Sequence, residues 1–254
     1  MPELPEVETI RCELEPLLEG RRILSLEVGR KDILGYPSFR AFVRQAVGRR
    51  IKRLSRRGKY LVMHADGGKD LVFHMRLSGH LEVRGDGAAP RFERVRFRLT
   101  GGRVLSFVEP RVLGKVYLVD AGSYPPVLKG MRCMGREPVD KGFTPGYLAN
   151  RLRGRKTSIK NLLVDQKVCC GVGNIYSDEA LFRAGVRPAR PAAELTTAET
   201  GKLARSLKRV IRDGIRWCGT TLADRRYLRP GRQSGSFQRR LKVVAREGEP
   251  CRSG

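Results

Sequence analysis

Behind an acidic opening, Val7, Ile10, Leu14 and Leu17 recur at helical spacing, and Pro5 with its flanking glutamates suits a first helical turn. The pattern predicts a helix that starts almost at the N-terminus. From about residue 21 the period drops to two. Leu24, Leu26 and Val28 alternate with Ser25 and Glu27, and Val95, Phe97 and Leu99 alternate with Arg94, Arg96 and Arg98. Similar short runs fall at 59–64, 70–75, 104–108 and 116–119, separated by turns such as Ala65-Asp66-Gly67-Gly68 and Thr100-Gly101-Gly102. Short strands and Gly-rich turns predict an antiparallel sandwich or barrel for the first half. Beyond Gly122-Ser123-Tyr124-Pro125-Pro126 the strand patterns stop. Thr144 and Pro145 suit a cap and first turn, Thr196 with Glu199 makes a capping box, and Leu203, Leu207, Ile211 and Ile215 mark one face of a helix ending near Gly219. The expected organisation is an α+β chain: a β-sandwich domain with an N-terminal helix over 1–120, a linker over 121–143, a helical domain over 144–224, and a remainder over 225–254. That remainder carries nine Arg or Lys against Glu247 and Glu249 and no helical stripe.

Charge narrows the class of partner. Lys and Arg number 52 against 26 Asp and Glu, a net charge of +26 with a pI near 10.8. Such self-repulsion is offset when phosphates are bound and counterions released, so a polyanion is expected, although RNA-binding, ribosomal and membrane-surface proteins share this balance. No run approaches the roughly 18 to 20 apolar residues of a membrane span, and Met1-Pro2-Glu3-Leu4-Pro5-Glu6 is acidic rather than signal-like. A cytoplasmic monomer with no membrane contact is expected. The six cysteines are scattered, with neither zinc-knuckle nor small-domain disulfide spacing, and read mostly as reduced core thiols.

Removal of Met1 would expose the secondary amine of Pro2, and α-amino groups titrate at about 7.7 to 8.0. A neutral secondary amine can attack an electrophilic sugar carbon and form an iminium, with Glu3 and Glu6 as nearby proton acceptors and donors. The same residues also suit a plain helix start. The stretch Met1-Pro2-Glu3-Leu4-Pro5-Glu6-Val7-Glu8-Thr9 resembles the opening of the formamidopyrimidine-DNA glycosylase family. Leu4, where the endonuclease VIII-like branch usually has Gly, leans toward the purine-lesion branch. The resemblance implies Pro2 as nucleophile, Glu3 as proton shuttle and Glu6 as the second family glutamate.

Further segments match the same family. Arg57-Gly58-Lys59-Tyr60-Leu61 resembles the segment whose lysine faces the reacting nucleotide, which implies Lys59 for the flanking phosphate and the leaving base. His74-Met75-Arg76-Leu77-Ser78-Gly79 resembles the loop with a phosphate-binding histidine and an apolar wedge. His74 takes the first role, and Leu77 rather than Met75 the second. Glu109-Pro110-Arg111-Val112-Leu113-Gly114 resembles the loop that inserts an arginine opposite the lesion, implying Arg111 as reader and Leu113 in place of the usual phenylalanine. Gly171-Val172-Gly173-Asn174-Ile175-Tyr176-Ser177-Asp178-Glu179-Ala180-Leu181-Phe182, after Ser158-Ile159-Lys160-Asn161-Leu162-Leu163, resembles the family's helix-two-turn-helix, with Lys160 and Asn174 on phosphate.

Gly235-Ser236-Phe237-Gln238 and Arg246-Glu247-Gly248-Glu249-Pro250-Cys251 resemble the lead-in to a C-terminal four-cysteine zinc finger, of which Cys251 is the one candidate ligand. The expectation is a truncated finger with an incomplete zinc site, and no cofactor for the chemistry. A base-flipping loop is expected between Thr220 and Phe237. The resemblance implies a repair glycosylase with an associated abasic-site lyase activity, acting on 8-oxoguanine or formamidopyrimidines in damaged duplex DNA. The alternatives are an oxidised-pyrimidine glycosylase or a non-catalytic binder of damaged DNA.

Overall fold

In the computed structural model, which describes residues 1–252, the acidic opening becomes helix α1 (Leu4–Leu18). Glu3 stands before its first turn and donates its backbone N–H to Glu6 Oε2 at 2.8 Å, half of a capping box. Val7, Ile10 and Leu14 are buried as expected. The next core position is Leu18, at i+4 from Leu14, while Leu17 is 36% exposed.

Nine strands follow among the described residues: β1 (Ile23–Val28), β2 (Leu34–Tyr36), β3 (Ile51–Arg57), β4 (Tyr60–Ala65), β5 (Lys69–His74), β6 (His80–Gly85), β7 (Glu93–Leu99), β8 (Arg103–Val108) and β9 (Lys115–Asp120). They form a four-stranded sheet in the order β1-β7-β8-β6 and a five-stranded sheet in the order β2-β9-β5-β4-β3. Phe73 packs edge-on against Phe97 and Phe107 between them, at centroid distances of 6.0 and 6.1 Å. The sandwich is therefore as expected, with two departures. The short β2 runs parallel to β9 at the sheet edge. In β1 the register breaks between Ile23 and Ser25, so Ile23 fills the core and Leu24 turns outward. A short helix, α2 (Phe39–Ala46), was not expected; it buries Phe42 and Ala46.

Residues 121–143 are not a bare linker. A 3₁₀ turn (Pro126–Leu128) and α3 (Lys129–Arg132) lay Leu128 and Met131 over Val62, Val72 and Val119 on the outer face of the five-stranded sheet. Then come α4 (Pro145–Leu152), α5 (Ile159–Val164), α6 (Asn174–Ala184) and α7 (Thr197–Arg216). Thr144 caps α4 and the Thr196–Glu199 box caps α7, as their sequences suggest. Leu203, Leu207 and Ile211 are buried in a second core, to which α1 contributes Leu4.

Two buried glutamates tie distant segments to this frame. Glu137 accepts both terminal nitrogens of Arg56 at 2.8 Å and the N–H of Gly58 at 2.7 Å, and Arg56 also donates to Glu8 at 3.0 Å. Glu179, on α6, accepts the successive N–H groups of Lys242, Val243 and Val244 at 2.9 to 3.1 Å, which seats the end of the described chain. The cysteines depart from expectation: Cys169 and Cys170 are buried and Cys218 partly so, but Cys12, Cys133 and Cys251 are exposed. Among the described residues no helix is long and apolar enough to cross a membrane.

Removing one partner of a buried ion pair strands the other. Glu137→Ala is expected to cost about 3 to 5 kcal/mol in urea denaturation. Glu13→Ala, which breaks the more exposed pair with Arg229, should cost less than about 1 kcal/mol.

Candidate active site

The site is built where α1 meets the start of α6. Gly173 precedes α6 and has no side chain to cap it. The Glu3 carboxylate does so instead, accepting the N–H of Gly173 at 2.6 Å and of Ile175 at 2.9 Å, while Leu4 N–H donates to Gly171 O at 3.0 Å. A Cβ at Gly173 would lie 2.5 Å from Glu3 Cδ and 2.8 Å from Lys59 Nζ, so the glycine is what lets these two groups converge. Lys59 reaches this point from the β3–β4 turn, whose Gly58 adopts a φ of +56°. Pro2 is buried beside them, and Met1 is 42% exposed.

Burial dominates the electrostatics. It pushes the Glu3 carboxyl up to about 7, helped by the like charge of Glu6 and opposed by Lys59 and the two N–H donors. Burial also lowers the Lys59 ammonium below its ordinary value, against the pull of Glu3 and Glu6. Glu6 is raised by burial too, although it accepts the Tyr176 hydroxyl at 2.6 Å and Thr220 N–H at 2.8 Å. The result is a buried cluster of two carboxyls and an amine, in which burial holds both carboxyls above and the amine below their ordinary values.

Two loops flank it. His74 is buried, 4.4 Å edge-on from the Tyr60 ring, and burial with Arg76 nearby lowers its pKa to about 3. It is thus a neutral imidazole. Because Nδ1 accepts Arg76 N–H at 3.1 Å, Nε2 carries the proton and can donate to a phosphate. Met75 is core, 1% exposed, whereas Leu77 is only half-buried. Arg111 is exposed and Leu113 is 40% exposed. Arg76 and Val112 both hold positive φ, 53° and 58°. The two loops share one brace: Glu109, fully buried, accepts the Ser78 hydroxyl, Arg111 N–H at 3.1 Å and Gly114 N–H at 2.8 Å.

On the helical side, Asn174 is exposed as the first residue of α6, and Lys160 pairs with Asp178 at 2.8 Å, so a phosphate there would share the lysine with that carboxylate. The 220–237 loop is pinned to α1 at both levels: Thr220 to Glu6, and Arg229 to Glu13. Its Tyr227 is buried in the sandwich core and donates its hydroxyl to Cys218 O at 3.0 Å. Cys251 is exposed, and among the described residues no group of three or more His, Cys, Asp or Glu comes together as a metal site.

The model of the formamidopyrimidine-DNA glycosylase N-terminal domain matches residues 1–116, and that of the family's H2TH domain matches residues 134–226. The chain belongs to the formamidopyrimidine-DNA glycosylase family. It is 43% identical over 253 residues to the formamidopyrimidine-DNA glycosylase of Moorella thermoacetica, covering 99% of this chain and 91% of that one. The Gloeobacter violaceus protein of that name is 40% identical over 256 residues, covering 99% and 89%. Among solved structures, MutM (Fpg) from Thermus thermophilus superposes with a TM-score of 0.91 at 37% identity, covering 99% of this chain and 90% of that one. A Lactococcus lactis Fpg variant in complex with DNA containing Fapy-dG superposes with a TM-score of 0.91 at 28% identity, covering 99% and 91%.

Within this glycosylase-family fold, most of the residues singled out from sequence fall into two groups, with Lys160 and Asn174 on the helical side and Cys251 apart from both. Pro2, Glu3, Glu6 and Lys59 lie together, and His74, Leu77, Arg111 and Leu113 lie on the two loops braced by Glu109. Glu109, Tyr176, Thr220 and Gly173 were not singled out, although all but Thr220 lie inside the quoted motifs.

The raised Glu3 makes a signed prediction. The folded protein holds a proton on Glu3 up to about 7, whereas the unfolded chain releases it near 4.5, so the folded state binds more protons in that window and loses stability as pH rises. The unfolding free energy of wild type minus that of Glu3→Gln should fall by about 3 kcal/mol between roughly pH 4 and pH 8. A flat difference would mean that Glu3 titrates as an ordinary carboxyl.

Proposed function

We propose that this protein is a DNA repair glycosylase for oxidised purines, 8-oxoguanine and formamidopyrimidines, with an associated abasic-site lyase activity, and that Pro2 is its nucleophile. The observation that carries this reading is the convergence of Glu3 and Lys59 on Gly173 beside the buried Pro2, with Glu3 poised to titrate near 7. The net charge of +26 suits a duplex DNA partner. The proposed protein works as a monomer in the cytoplasm, on the nucleoid.

Removal of the exposed Met1 frees the Pro2 amine. That nitrogen attacks C1′ of the extruded nucleotide, and the C1′–base bond breaks as the base leaves with a proton from Lys59 or Glu3. Opening of the sugar ring gives an iminium between Pro2 and the sugar. The iminium acidifies the neighbouring carbon, so a base such as the Glu3 carboxylate can remove its proton and expel the 3′ phosphate, and a second elimination expels the 5′ phosphate. Water then releases Pro2. His74 holds the backbone as a neutral donor, Lys160 and Asn174 hold it from the helical side, Arg111 reads the opposite base, and Leu77 and Leu113 fill the void.

Borohydride treatment of the Met1-processed protein on a duplex carrying 8-oxoguanine opposite cytosine should give a covalent protein–DNA adduct that is lost in Pro2→Gly. Lys59→Ala should slow base release by about 10²- to 10³-fold in single-turnover assays. An adduct on oxidised-pyrimidine duplexes alone would reassign the lesion. No adduct on any lesion or abasic duplex would leave a binding protein.

A further inference from the structure

On the outer face of the five-stranded sheet, three neighbouring strands set Ser55 (β3), His64 (β4) and Asp70 (β5) in a row. His64 stands opposite Asp70 in the β4–β5 register, and Ser55 stands opposite Val62, one same-face position from His64. Ser55 Oγ lies 2.7 Å from His64 Nε2, and His64 Nδ1 lies 2.7 Å from Asp70 Oδ1. For a neutral imidazole one tautomer satisfies both contacts: the proton on Nδ1 faces the carboxylate, and Nε2 accepts from the serine hydroxyl.

A relay of this kind inside a packed sheet would only satisfy its own polar atoms. Here all three side chains line a cavity of about 360 Å³, walled by Val62, Val72 and Val119 and by Leu128 and Met131 of the segment after β9. Arg53 and Arg57, two residues to either side of Ser55 on the same strand face, line it as well. Arg57 is held in place by Gly135 O at 2.8 Å. None of these residues takes part in the Pro2–Glu3–Lys59 site, and the glycosylase reading leaves the cluster without a role.

We propose that Ser55, His64 and Asp70 form a second active centre, a serine hydrolase site for small carboxylic esters that carry a negative charge. Ser55 Oγ attacks the ester carbonyl carbon while its proton passes to His64 Nε2, and Asp70 holds the imidazolium. The bond to the alcohol breaks, and the alcohol leaves with the proton from Nε2. Water then attacks the acyl carbon and gives its proton to Nε2. The bond to Oγ breaks, Ser55 recovers the proton, and the acid is released. Arg53, with Arg57, whose charge is shared with Glu137 and Asp140 at 3.9 Å, supplies positive charge for the anionic group of the substrate and for the developing oxyanion, and the apolar wall takes its carbon chain.

The full chain is incubated with a fluorophosphonate probe, and the adduct is mapped by mass spectrometry; hydrolysis of 4-nitrophenyl acetate and of the anionic 4-nitrophenyl succinate is followed in parallel. Wild-type protein should be labelled on the Ser55 peptide, native but not heat-denatured, and should hydrolyse the succinate faster than the acetate. Ser55→Ala should abolish labelling and hydrolysis, and His64→Gln or Asp70→Asn should slow both by at least about 100-fold, with thermal midpoints that show each variant folded. Absence of label on Ser55 in the native protein, or hydrolysis that persists in folded Ser55→Ala, overturns the proposal, and equal rates on the two esters overturn the anionic substrate class. Mapping the label on wild type needs no variant, and none of these readouts uses DNA, so the result stands apart from the glycosylase reading.

Discussion

The Glu3 carboxylate does for α6 what that helix cannot do for itself. Gly173 offers no side chain to the first free N–H groups, and Glu3 reaches them from the other end of the sequence. One contact therefore joins the start of the chain to the helix-two-turn-helix, aims Glu3 at the position where Lys59 arrives, and removes the carboxyl from water. Its raised pKa is the cost of that burial, and also what suits it to proton transfer near pH 7. Helix α1 reinforces the arrangement because it belongs to both cores: Leu4 packs with the helical layer, while Val7, Ile10 and Leu14 pack with the sandwich.

The same device recurs. Glu109 gathers the two loops proposed to meet DNA, Glu137 holds Gly58 and Arg56 so that the β3–β4 turn presents Lys59, and Glu179 seats residues 242–244. In a chain with twice as many basic as acidic side chains, several of the few glutamates are buried on backbone N–H groups from distant segments. Such charge-assisted bonds are short and directional, and their loss would leave a buried donor unsatisfied. The basic side chains are left largely to the surface, where they suit a phosphate backbone.

How much of this was legible from the sequence depended on the range of the interaction. Local signals read well: the Thr144 and Thr196 caps, the alternation through β7, and the helical face of α7 at Leu203, Leu207 and Ile211. Where a tertiary detail overrode the period, the reading slipped. The irregular register of β1 turned Leu24 outward, and the choice between Leu17 and Leu18 was settled by what α1 packs against. Motif resemblance placed Pro2, Glu3, Glu6 and Lys59 in one site, but it did not supply the ties that hold them. Glu137 with Gly58 and Glu179 with Val243 are separated by tens of residues, and no periodicity links them. The Lys160–Asp178 pair was likewise invisible, because both residues sit in matched motifs without any sign that they face each other.

A reactive group at the start of the main chain constrains how such a protein can be combined with others. The nitrogen proposed to do the chemistry is already an amide for as long as any residue precedes Pro2, and its neighbours are locked against α6. A reporter, an affinity handle or a second enzyme genetically joined ahead of Pro2 without a processing site would block that nitrogen permanently while leaving both cores and the loops proposed to face DNA intact. The product would be a full-length protein that can still embrace damaged DNA without cutting it. On the proposed chemistry, a fusion ahead of Pro2 is therefore compatible with folding but not with catalysis.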